Sequence, residues 1–142
     1  MDKDLEVLNN IYSIVDMGVI GIDNVISKIK DKSIEKLFID QKKEYNLLRV
    51  EAMKILTDLD KEVKKPPKIA EIGSSIKTDM ELLKDDSDNN IVKLMIQGSN
   101  RGIVELTSIL NKKELTNRKV EILAQKLLDL LEHNIQDLKK YL

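Results

Sequence analysis

Along most of this chain, apolar side chains recur at alternating intervals of three and four residues. The first such stretch places Leu5, Leu8, Tyr12, Val15, Val19, Ile22, Ile26 and Ile29 on one face, the pattern of an amphipathic α-helix of seven or eight turns, at roughly 3.6 residues per turn. Asp31-Lys32-Ser33 interrupts it, with Asp31 or Ser33 placed to cap a second helix. The rhythm then resumes at Ile34, Phe38, Gln41, Tyr45, Leu48, Ala52, Ile55 and Leu59. So short a turn makes these two helices antiparallel neighbours. Lys64-Lys65-Pro66-Pro67 ends the second helix, because proline lacks a backbone N–H and restricts the residue before it. A shorter helix is predicted over 68–83, on Ile69, Ile72, Ile76, Met80 and Leu83, and the polar run Asp85 to Asn90 supplies loop and cap residues. A last helix starts near Asn117 and carries Val120, Leu123, Ala124, Leu127, Leu131, Asn134, Leu138 and Tyr141 inward.

Between these lies LMIQGSNRGIVEL, residues 94–106, whose Gly-Ser-Asn-Arg-Gly centre has the composition of a turn. A turn would let the apolar register reset on its far side. Ile91, Leu94, Gly98, Gly102, Glu105 and Ile109 keep their spacing instead, which predicts one uninterrupted helix over 87–111. Each glycine costs about 1 kcal/mol relative to alanine, so both are expected on the inner face, where small residues let a neighbouring helix approach. Gly18 and Gly21 sit mid-length in the first helix and complete this expectation. On that basis Gly98→Leu should lower the melting temperature.

The fold class predicted is all-α, a single domain of four long helices and one short one. The long helices pair tightly as first with second and third with fourth, while a connection containing the short helix separates the pairs. Such a segment can run the length of a bundle roughly 35–40 Å long, at about 1.5 Å per helical residue plus extended flanks. The third long helix then starts at the end where the second started, and the two lie parallel, a single-crossover arrangement. The alternative is an up-down-up-down bundle with a surface helix.

Composition removes several function classes. With 24 Lys+Arg against 25 Asp+Glu the net charge is −1, so no basic field recruits nucleic acid or an anionic membrane. Cysteine is absent and His133 is the single histidine, which removes thiol nucleophiles, disulfides and zinc-thiolate sites. The aromatic side chains are Tyr12, Phe38, Tyr45 and Tyr141, too few for a base-stacking platform. The charged start MDKDLEVLNN is not a signal peptide, and no run is read as approaching the roughly 20 apolar residues of a membrane span. The expected location is the cytoplasm, with no cofactor. His133 is read as exposed, Met17, Met53, Met80 and Met95 as core or interface filler, and the basic stretch Lys61 to Lys68 as a solvated loop.

In helix order and in the phrases IYSIVDMGVIGID, LMIQGSNRGIVEL and LLEHNIQDLKKYL, the chain resembles small bacterial members of the ferritin-like superfamily, relatives of rubrerythrin and of ferritin-like spore-coat proteins. That resemblance implies a carboxylate-bridged metal pair built from inward Glu on two helices and Glu-x-x-His on the other two. The residues depart from it. Glu44 is followed by Leu47 where histidine is required, and Glu132 stands directly beside His133, with Ile135 at the third position. At about 100° per residue both Glu132 and His133 face solvent. Asp16 and Asp23 lie at the margin of the first stripe, leaving Glu105 as the one carboxylate read as inward.

Glu105 with Gln41, Tyr45 and Asn134 is therefore expected to form a buried polar layer that fixes helix register. Glu105 and Glu44 are also the residues that a remnant metal site would use. The third long helix carries a second apolar row, Val92, Ile96, Ile103 and Leu110, read as lying opposite its core face. The crossover helix is the favoured cover for it, and a second copy of the chain, forming a homodimer, is the other. The functional expectation is a non-enzymatic ferritin-like bundle acting as a structural or protein-interaction module. Its rival is an iron- or manganese-binding relative with a degenerate carboxylate site. Acid–base or nucleophilic catalysis lacks its usual groups.

Overall fold

The computed structural model describes residues 2–59, 85, 87–112 and 114–142; the short helix predicted over 68–83 lies outside them. The described residues form four long helices, α1 (Asp2–Val25), α2 (Lys32–Asp58), α3 (Asp88–Lys112) and α4 (Arg118–Lys139), with a 3-10 turn Ile26–Lys28 after α1. The all-α expectation holds. Asp31 caps α2, accepting from the backbone N–H groups of Ser33 and Ile34, and Asn117 does the same for α4 through Lys119 and Val120. The region from Gly98 to Gly102 is helical throughout.

Hydrogen bonds between distant residues fix the helix directions. The Asp88 carboxylate at the start of α3 accepts from the N–H of Lys30 at 2.9 Å and of Asp31 at 2.8 Å. The third helix thus begins beside the turn that joins the first two. At the opposite end, Asp4 accepts from the backbone N–H groups of Thr116 and Asn117, which places the start of α4 beside the start of α1. Asp58, at the end of α2, pairs with Lys119 at that same end. Helices α1 and α4 therefore run one way, α2 and α3 the other. Contacts are richest between α1 and α2 and between α3 and α4, then between α2 and α4 and between α1 and α3. Every side-by-side neighbour is thus antiparallel.

One core runs through all four helices, with Leu8, Ile11, Phe38, Leu56, Ile91, Leu106, Leu123 and Leu127 fully enclosed. Helix α1 touches all three others and buries residues around much of its circumference. This accounts for its largely apolar sequence and amends the membrane expectation. By length and composition alone, Lys3–Lys28 would pass for a membrane span, yet 61% of its most apolar window is buried inside the bundle.

On α3 the core face sits further round than the three-or-four count suggests. Gly102 and Leu106, four apart, are buried, and Glu105 is exposed, roughly 100° away from Leu106 on the helical wheel. The row Val92, Ile96, Ile103 and Leu110 is consequently a flank of the core face and not its opposite. Val92 is fully buried, and the other three are half-buried and packed against the core. The apolar side chains that do face outward are chiefly on α2, where Leu47 is 59% and Met53 45% exposed. Met53 is thus surface, while Met17 and Met95 are half-buried; Met80 and Lys61 to Lys68 lie outside the described residues.

Candidate functional site

Halfway along the bundle, α1 and α3 carry glycines where the other two helices carry large polar side chains. The apolar rhythm of α2 brings Gln41 and Tyr45 to its core face one turn apart, and both are buried, as is Asn134 on α4. Asn134 donates its side-chain N–H to the Tyr45 hydroxyl at 3.1 Å. The Tyr45 ring lies flat against Gly18: a Cβ there would fall 2.8 Å from its Cε2. Gly18 therefore answers to a specific neighbour, as the sequence suggests for this segment. Burial pushes the Tyr45 hydroxyl up from its ordinary value, with hydrogen bonding from Asn134 and Ser99 offsetting part of the rise. It stays a neutral phenol at physiological pH.

The expected polar layer is present in part. Gln41, Tyr45 and Asn134 are its members, while Glu105 stands outside, exposed and accepting from the Asn10 side chain at 3.3 Å. Glu44 is exposed as well. Two marginal carboxylates of α1 are tied elsewhere, Asp16 to Arg49 at 3.3 Å and Asp23 to Lys42 at 2.6 Å. His133 is exposed, as expected, and sits 3.2 Å from Asp137. Among the described residues no three histidine or carboxylate side chains converge. The side chains at mid-bundle do not fit a carboxylate-bridged metal pair, since neutral amide, phenol and glycine stand where four acids would be needed.

What stands there is a cavity of about 100 Å³. Ile14, Met17, Leu94, Met95 and Leu131 give it apolar walls, Gly18, Gly21, Gly98 and Gly102 leave room in it, and Gln41, Tyr45, Gln97 and Ser99 supply polar atoms, donors and acceptors both. Arg101 lies at its rim, exposed. The Gln41 side chain is 5% exposed, and its amide nitrogen has no hydrogen-bond partner among the described residues. A buried amide left unpaired costs about 1–3 kcal/mol. Gly102 is tightly enclosed, with a hypothetical Cβ at 3.3 Å from Ile14 and Leu131, whereas a Cβ at Gly98 meets nothing within 4 Å among the described residues. The expectation that both glycines serve close packing thus holds for Gly102 and fails for Gly98, which opens onto the cavity.

No known family model, curated protein or solved structure matches the chain. The site rests on its own geometry. Larger hollows exist, such as one of about 620 Å³ along α4 lined by Arg118, Glu121, Lys126 and Asp129, but these are surface grooves of solvated charges. The mid-bundle cavity differs in its largely apolar walls, drawn from all four helices.

Sequence reasoning missed the most deeply buried carboxylate among the described residues. Asp4, only 2% exposed, accepts from the Thr116 hydroxyl at 2.5 Å and from two backbone N–H groups. Burial raises its pKa, but these hydrogen bonds together outweigh burial and hold it below the ordinary 3.8. Its place beside an Asn cap on another helix could not be read from spacing. Nothing in this arrangement is reactive; it ties the start of α1 to the start of α4.

Proposed function

We propose that this chain is a ferritin-like bundle without metal chemistry, a non-enzymatic structural or interaction module. The ferritin-like part of this reading is supported by helix direction. The third helix starts beside the first turn, the second ends beside the start of α4 at the opposite end, and each helix has antiparallel neighbours. These directions support the single-crossover arrangement expected of a ferritin-like bundle. The chain's resemblance to that superfamily in sequence phrases points the same way.

The observation that carries the functional part is the neutral middle of the bundle. In a di-metal carboxylate protein this position holds inward acids from all four helices. Here the Tyr45–Asn134 hydrogen bond and the glycine-lined cavity take their place, and Glu105 and Glu44 face outward. The rival reading, a degenerate iron or manganese site on Glu105 and Glu44, has no converging third ligand among the described residues.

The test is metal content by mass spectrometry on untagged protein, purified without chelator and again after anaerobic incubation with iron or manganese. Metal well below one equivalent in both preparations is expected. Near-stoichiometric metal that disappears in Glu105→Ala would overturn the proposal and make this a carboxylate metalloprotein.

A further inference from the structure

Helix α2 turns a mixed face outward, with Ile39, Leu47, Val50 and Met53 as its exposed apolar side chains. Around Leu47 its charges stand with opposite signs at equal distances. Lys36 lies as far before Leu47 as Asp58 lies after it, and Asp40 as far before as Lys54 after. These separations are close to three and two whole turns, so at about 100° per residue all four charges fall within roughly 20° of Leu47 on the helical wheel. All four are exposed. Lys36, Asp40 and Lys54 have no hydrogen bond or ion pair among the described residues, and Asp58 holds Lys119 at 3.7 Å in solvent.

A row that reverses sign about its centre is complementary to itself when turned end for end. With two such helices antiparallel about a two-fold axis at Leu47, each Lys36 meets an Asp58, each Asp40 meets a Lys54, and the two Leu47 side chains meet at the axis. Lys43 and Glu51 repeat the opposition one turn from the centre, Glu51 being held also by Lys126 at 3.3 Å. Other alignments lose the match. A parallel pairing sets every charge against its own copy, an axis midway between Leu47 and Val50 sets Lys43 against Lys54, and an axis at Val50 leaves Lys54 opposite Asn46. The apolar side chains fit the same register. A surface hollow is lined by Val50, Met53, Lys54 and Thr57, the spacing that makes a hole for one side chain of a facing helix, and Ile39 of the second copy falls at its level.

We propose that this face binds a second copy of the chain, the two α2 helices packing antiparallel about Leu47. The proposal goes beyond the reading of the chain as an interaction module and stands on α2, not on the neutral mid-bundle.

The contact is one helix wide, so a dimer with a dissociation constant on the order of 100 µM is expected. Sedimentation equilibrium of the full chain, above and below that concentration, tests it. Leu47→Lys should leave monomer alone. Asp40→Lys and Lys54→Asp, both at exposed positions, should each weaken the dimer about tenfold with unchanged circular dichroism. Mixed in equal amounts, these two variants should recover the parental affinity, because the facing positions are then basic in one copy and acidic in the other. A monomer at every concentration, a dimer indifferent to Leu47→Lys, or a mixture that associates no better than its components would overturn the proposal. The two readings fail separately. Metal-free protein that stays monomeric refutes the dimer alone, whereas metal-bearing protein that dimerises in this way refutes the metal-free reading alone.

Discussion

At the residue scale, the contact between Gly18 and Tyr45 shows how one missing side chain sets the position of another. Alanine is the better helix former by about 1 kcal/mol, yet its methyl would stand 2.8 Å from the Tyr45 ring. The ring cannot yield without leaving Asn134. Gly18→Ala is therefore expected to destabilise by about 1–2 kcal/mol net of the helix gain, read as a lower urea midpoint at unchanged slope. Asp4 provides the corresponding case for charge. Its pKa is held below 3.8 by Thr116 and Asn117, so its contribution to stability is complete above about pH 4 and is lost as pH falls through the folded value. Asp4→Asn should cost about 2 kcal/mol at pH 7. The gap from the parent protein should narrow when the same denaturation is run at pH 3.

At the scale of the element, the periodicity carries most of the information. Helix bounds, the Asp31 and Asn117 caps and the continuity of α3 through its two glycines are all legible, because each depends on residues within a turn of one another. Spacing alone misplaces Glu105, because a three-or-four rhythm leaves two choices at every step. After Gly102 both Glu105 and Leu106 satisfy it, and the tertiary packing of Leu106 decides. The same slip turns a flank of the core, Val92 to Leu110, into an outward face. Gly98 reads as packed because its phase matches Gly102, although no neighbour among the described residues fills the space beside it. Gly98→Ala is accordingly expected to stabilise, not destabilise, by about 1 kcal/mol, a rise of about 3 °C in melting temperature measurable by calorimetry. The cavity itself cannot be read from one helix at a time, since its walls come from all four.

At the scale of the whole molecule, helix direction is the property on which the two topologies that the sequence leaves open differ. Asn10 on α1 meets Glu105 on α3 at 3.3 Å, a contact across antiparallel helices. An up-down-up-down bundle would run α3 alongside α1 in the same sense, and these residues would lie toward opposite ends. Because the chain has no cysteine, Asn10→Cys with Glu105→Cys gives a clean pair. A short bismaleimide should bridge it within one molecule, seen as a single added linker mass on a monomer. Failure to bridge, with both thiols reactive, would contradict the assigned direction.

The carboxylates of Asp88 and Asp4 give this architecture a kinetic character. Each hairpin, α1–α2 and α3–α4, is held by contacts close in sequence and can form quickly, whereas joining them closes separations of 58 and 112 residues. Both carboxylates act on that junction, one at each end, and each grips backbone N–H groups that come into place only when the hairpins have met. They therefore act on the exit from the native state more than on its formation. Asp88→Ala should speed unfolding in stopped-flow measurements and leave the folding limb nearly unchanged, so that the lifetime of the assembled bundle, more than the speed of its assembly, depends on two aspartates at its ends.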